Sequence, residues 1–303
     1  MPFIGEDTEH ALDGIQVFLN PEAISATTDT SLRHAAYLVA LRQEILTALF
    51  KQRPFRLPLD PCHPYRSFEP ASDYVWANRL VLHCADVLQY CFGSEQEIKP
   101  RESTDFTPIT PGILLSWEGT HTAISAADSP PSDRIARYDE LLAFETQWAE
   151  SYPPSFYPIY SREPDKSIGE VFPGYWYLHD CHVTGIQHLE LARILLAVHN
   201  PRLPRLGPNY RSAMSSVDSA IKSSVLRLCG IALCNEHSPP SLVTANVAIA
   251  MCGDRFQDRH EQEALLDILS KVDSDHGWPT QRICATLTEA WGWHTDSLEP
   301  MSS

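Results

Sequence analysis

Glycine is scarce in this chain, 13 in 303 residues, and neither G-x-G-x-x-G nor G-x-x-x-x-G-K-[ST] occurs. Those spacings let a strand-to-helix turn bring backbone amides against a phosphate, so their absence excludes nucleotide binding by either motif. Basic residues are missing from the amino terminus, the first being Arg33. The balance of 23 basic and 39 acidic residues gives a formal charge of −16, a field that repels phosphates. No clustered basic stripe interrupts it, Lys51, Arg53 and Arg56 coming closest. Direct contact with nucleic acid is therefore not expected.

The eight cysteines, Cys62, Cys84, Cys91, Cys181, Cys229, Cys234, Cys252 and Cys284, include no C-x-x-C pair, which argues against zinc fingers and redox dithiols. Most sit among apolar residues in helical patterns, where a reduced thiol acts as a small hydrophobe, and a reducing intracellular compartment suits them. No apolar run approaches the length of a membrane span, and the start MPFIGEDTEHALDG has neither a basic nor an apolar leader region. Membrane and secretory roles are not indicated.

What the chain does have is apolar and aromatic content, 43% and 10%, enough for a folded core. Helical periodicities separated by proline-rich turns, without alternating strands or a fixed repeat, predict an all-α fold: an irregular multi-helix single domain. Residues 1–30 read as an acidic arm, 31–295 as the helical domain and 296–303 as a tail.

Ser31 is placed to cap a helix with Leu38, Leu41, Ile45 and Leu49 on one side and Arg42 and Glu44 away from it, ended by Pro54. A second helix is expected from Ala71 to Cys91, with Val81, Ala85 and Leu88 as its stripe and Gly93 as its cap. Residues 94–111 read as a loop and Ile113 to Ala126 as a helix. Asp133 can cap the next, with Ile135, Tyr138, Leu141, Leu142 and Trp148 buried. Further helices are predicted through Met214, Val217, Ile221, Val225 and Leu228; over Leu242 to Cys252, wholly buried; from Asp258 to Val272; and from Trp278-Pro279 through Ile283, Leu287 and Trp291.

The longest helical pattern, over Trp176 to Val198, is expected to be enclosed by the helices at 210–234 and 242–252. Pro173-Gly174 reads as the turn before it and Asn200-Pro201 as its stop. Val183, Ile186, Leu189, Ile194 and Ala197 form its apolar face, while Glu190 and Arg193 fall on a wet one. Here lie the densest reactive side chains: His179, Asp180, Cys181, His182, His188 and Glu190. A helical zinc site wants two histidines four apart. His182 and His188 are six apart, which points them roughly 120° away from each other at about 100° per residue. No residue is therefore assigned a catalytic, cofactor or metal role, and the Cys62-His63 pair, lacking further ligands at suitable spacing, reads as loop.

Several strings, LRQEILTALFKQRPFRLPL (from Leu41), VWANRLVLHCADVLQYCFG (from Val75), PPSFYPIY (from Pro153), WYLHDCHVTGIQHLELARILLAV (from Trp176), PRLGP (from Pro204), LRLCGIAL (from Leu226), AIAMCGDRF (from Ala248) and EQEALLDIL (from Glu261), resemble the fungal-specific transcription factor domain, the regulatory region of fungal zinc-cluster transcription factors. The resemblance covers about Leu32 to Thr280. It implies a helical regulatory domain, a nuclear location, and control of RNA polymerase II transcription through protein association, self-association or an effector. Family members bind two zinc ions in an amino-terminal cluster of six cysteines that reads DNA. That cluster and its basic linker are missing here, so no cofactor is expected in this chain and DNA binding falls to a segment absent from it. The alternatives are a helical enzyme with a pocket near His179 to His188, which offers acid-base groups, and a truncated scaffold or competitor.

Overall fold

A computed structural model describes residues 32–93 and 131–293. The acidic arm, the Ser31 cap, the 94–111 loop, the Ile113 to Ala126 helix and the tail lie outside the described residues. Within them the chain is all-α: α1 (Leu32–Lys51), α2 (Asp73–Phe92), α3 (Pro131–Ser151), α4 (Asp180–Val198), α5 (Tyr210–Cys234), α6 (Pro240–Cys252), α7 (Arg259–His276) and α8 (Gln281–Ala290).

Local chemistry sets several of these ends. Gly93, at φ +83°, closes α2 by donating its N–H to Gln89 O at 2.8 Å, a conformation that glycine adopts without strain. Asp258 caps α7 by accepting from the backbone amides of His260 and Glu261. Asp133 proves to lie inside the first turn of α3, where its negative charge still suits the helix dipole. The last helix begins at Gln281 rather than at Trp278-Pro279, and Thr280 instead donates its hydroxyl to Leu269 O, tying the α7–α8 connection to the core.

Around α4 the packing is denser than an amphipathic pattern predicts. Its largest contact is with α2, followed by α5 and then α6, so the expected enclosure by α5 and α6 omitted its main neighbour. Gly185 permits that neighbour: a Cβ there would stand 3.1 Å from Ala77 Cα, so the lack of a side chain lets the two helices close. Helix α4 is covered nearly all round, and Glu190, expected on a wet face, is 2% exposed. Helix α6 is buried almost throughout, as its unbroken apolar run predicts.

The exposed face expected for α1 is covered at Glu44. Glu44 is fully buried because Arg53 grips it through two hydrogen bonds, 2.6 and 2.8 Å, and Arg56 N–H adds a third at 2.8 Å. The proline-bearing segment after α1 thus folds back over a face that the wheel assigned to water. Conversely, Ile135 and Leu142 of α3 are exposed, while Tyr138, Leu141 and Trp148 are buried as expected.

The short strands were not foreseen. β1 (Tyr160–Arg162) pairs antiparallel with β2 (Gly174–Trp176), Tyr160 opposite Trp176, so Gly174 begins a strand and the helix starts at Asp180, not near Trp176. Fully buried Asn235 at the end of α5 holds this ribbon: it donates to Tyr175 O at 2.8 Å and accepts from Tyr177 N–H at 3.0 Å. Gly230 leaves room for Pro173 O, which a Cβ would meet at 1.8 Å. Beneath the ribbon lies a second apolar cluster of Trp76, Trp148, Phe156, Tyr177 and Val183, with the Trp148 ring edge-on to both Trp76 and Phe156. Burying each such large side chain stabilises the fold by about 1.5–3 kcal/mol.

Candidate functional site

The six reactive side chains on and before α4 do not converge. They divide among three surroundings, because successive helical residues point about 100° apart.

His182, fully buried, places Nε2 2.8 Å from Asp73 Oδ2, while Ser155 Oγ donates to Asp73 Oδ1 at 2.8 Å. Serine, histidine and carboxylate are all present, but the carboxylate stands between the other two. A nucleophilic relay needs the histidine in the middle, taking the proton of the serine. This trio instead ties the start of α2 and the segment before β1 to α4. Burial alone would raise the Asp73 carboxyl pKa, but the bonds from His182 and Ser155 outweigh it and hold the group below its usual range. His179 is exposed at the head of α4, its ring 5.5 Å from that of His182.

Glu190 faces α5. It accepts from Arg193 at 2.7 Å and from Ser224 at 2.8 Å, and Arg227 Nε stands 3.2 Å away. One buried carboxylate shared by two guanidinium groups and a hydroxyl is a structural clamp between α4 and α5.

The remaining three, Asp180, Cys181 and His188, line a cavity of about 760 Å³. It lies between α1 and the starts of α2, α4 and α6, with Trp278 at its edge. Its size falls within the range of clefts that take small organic molecules, roughly 300–1,000 Å³. Apolar wall is supplied by Leu38, Leu46, Ala77 and Val243 among others. Asp180 sits at the rim, exposed, its carboxylate 3.2 Å from His237 Nε2. Partial burial pushes the Cys181 thiol up, away from the thiolate form a nucleophile requires.

Two groups in this cavity are left incomplete. His188 is 3% exposed, and its Nδ1 lies 2.7 Å from Thr184 O. A carbonyl oxygen only accepts, so Nδ1 carries the proton and Nε2, on the opposite ring edge, presents a lone pair. That Nε2 is buried without a hydrogen-bond partner among the described residues. Burial, reinforced by the charge of Arg42, pulls the ring pKa down to about 4, so the neutral form holds at neutral pH. Arg42 also lines the cavity, and burial lowers its own pKa. It has no ion-pair partner among the described residues, whereas Arg53, Arg66, Arg193 and Arg202 all meet carboxylates.

By its helical position Arg42 belongs to the solvated side of α1, so the sequence alone does not single it out. The signal was nonetheless there: Leu38 and Leu46 lie one turn to either side of it, making it a lone cation on a partly apolar line. Cys62, read as loop, is buried on a 3-10 helix (Asp60–Arg66), its thiol 3.4 Å from Tyr37 Oη and pushed up to about 11 by burial. Neighbouring His63 is exposed, and no cluster of three metal-ligating side chains occurs among the described residues. No described helix is long and apolar enough to cross a membrane.

Compared with profiles of known protein families, with curated proteins and with solved structures, the chain matches none of them.

Proposed function

We propose that this chain is a helical regulatory domain of the fungal zinc-cluster transcription factor type, acting in the nucleus on RNA polymerase II transcription. Protein association or response to an effector is its means of action, and DNA contact is made by a segment absent from this chain. The sequence strings that resemble that domain motivate the reading. The observation that carries it is the ligand-sized cavity at the meeting point of four helices in an all-α body, where an occupant would touch α1, α2, α4 and α6 together. Occupancy of such a site changes how the helices pack, and a regulatory domain needs that coupling. The formal charge of −16 supports reliance on partners rather than on phosphate contacts.

The helical-enzyme alternative rests on the same cavity. It is the weaker reading, since Cys181 is held in its thiol form and the Ser155, Asp73 and His182 trio lacks a serine-to-histidine bond.

The test is a transcriptional fusion. The full chain joined to an unrelated DNA-binding module should raise or lower a reporter carrying that module's site. An expressed, folded fusion that leaves the reporter at the level of the module alone overturns the proposal. In a companion gel-shift titration, the chain by itself should cause no retardation at micromolar protein and low salt, and retardation there would refute the assignment of DNA contact to another segment.

A further inference from the structure

We infer that the cavity between α1, α2, α4 and α6 binds a small carboxylic acid with an apolar body and a hydroxyl group, its carboxylate on Arg42 and its hydroxyl donating to His188 Nε2. The inference goes beyond the transcriptional reading and does not rest on it.

Each part of the ligand answers something unmet in the site. Arg42 is a partly buried cation without a carboxylate partner among the described residues, in a chain where acidic residues outnumber basic ones 39 to 23. A guanidinium is best matched by an oxyanion presenting two coplanar oxygens, and a carboxylate does so with the single charge that one arginine can neutralise. A phosphate monoester would bring nearly two charges to the same lone cation. His188 Nε2 is an acceptor without a donor among the described residues, in a ring whose other nitrogen is committed to Thr184 O. A buried acceptor in that state favours a ligand with an O–H and discriminates against one that lacks it. The cavity's apolar lining includes Leu38, Leu46, Ala77 and Val243, so the rest of the ligand is hydrocarbon.

Three of the cavity's other polar groups are engaged away from Arg42. Gln187 Nε2 is engaged with Ser241 O at 3.0 Å, Thr244 donates to Pro240 O, and Asp180 is held at the rim by His237. In the sequence His188 stands as a poor metal partner for His182 and as one of the acid-base groups of a possible pocket near His179 to His188. Its geometry gives it a separate use.

Isothermal titration of the full chain at neutral pH tests this with three probes: 3-hydroxydecanoate, its methyl ester and decanoate. The hydroxy acid should bind one per chain, about tenfold or more tighter than the ester, which lacks the charge. Decanoate, lacking the donor, should bind severalfold more weakly than the hydroxy acid. Arg42→Gln should erase the preference for acid over ester and Arg42→Lys should restore part of it. His188→Leu should erase the preference for 3-hydroxydecanoate over decanoate alone. Melting curves of the unliganded variants verify folding, and the two arginine variants carry the test even if His188→Leu does not fold. Absence of binding at millimolar 3-hydroxydecanoate, equal binding of acid and ester, or a preference that survives Arg42→Gln each overturns the inference. Binding without a reporter response would refute only the regulatory proposal, and a reporter response without binding only this one.

Discussion

Replacing Glu190 by alanine should cost the fold much of its margin, although the sequence places this residue on a wet helix face. Its side chain is 3% exposed and serves Arg193, Arg227 and Ser224 together. Deleting one partner of a buried ion pair costs about 3–5 kcal/mol when the remaining charge stays dry. Here the orphaned Arg193 and Arg227 side chains are 39% and 36% exposed and recover part of their hydration. Arg193 also keeps Glu145, at 2.8 Å. The expected loss is therefore about 2–3 kcal/mol. At roughly 2 °C per kcal/mol for a chain of this size, the melting point should fall by about 4–6 °C. Glu190→Gln retains the acceptor for Ser224 and one arginine and should cost about half as much. Urea unfolding followed by circular dichroism measures both. A change within about 0.5 kcal/mol for Glu190→Ala, the behaviour of a solvated surface residue, would refute the clamp.

Gly230→Ala should loosen the β1–β2 ribbon from α5, because the added methyl would stand 1.8 Å from Pro173 O and backbone must move; faster proteolysis between Tyr160 and Trp176 is the readout, and unchanged cleavage would contradict the close approach. Acid should destabilise the protein between pH about 6.5 and about 4, since burial holds His188 and His199 at about 4 and the unfolded chain takes up protons that the folded one refuses. Above that window both states are neutral at these rings and no contribution arises. His188→Gln should flatten the slope of unfolding free energy by up to about 1.4 kcal/mol per pH unit within the window. An unchanged slope would mean that His188 is solvated. Burial likewise pushes up the thiols of Cys84, Cys91 and Cys229, so a native thiol titration should find Cys181, Cys234 and Cys284 first and all eight only after denaturation. Rapid reaction of Cys229 in the native state would contradict its place in the core.

The chain's own order of residues determined the helices, because an apolar repeat of three and four and a proline after it are local properties. The wholly apolar run at Leu242 predicted a helix buried all round, and in α6 only Val243, Ala250 and Met251 of that run are partly exposed. Asp258 and Gly93 announced their ends for the same reason, since a cap needs only its own neighbours. Which charged residues would be buried was a tertiary decision. Glu44 went inside because Arg53 and Arg56 curl back over it, and Glu190 because α5 brings Arg227 and Ser224 to it. A helical wheel ranks residues by their own polarity and cannot register a partner supplied from another element. The candidate site was decided in the same way. Spacing pointed His182 and His188 apart, and the structure gives them different partners, Asp73 and Thr184, but the pairing of His188 with Arg42 joins residues 146 positions apart and exists only where α1 meets α4.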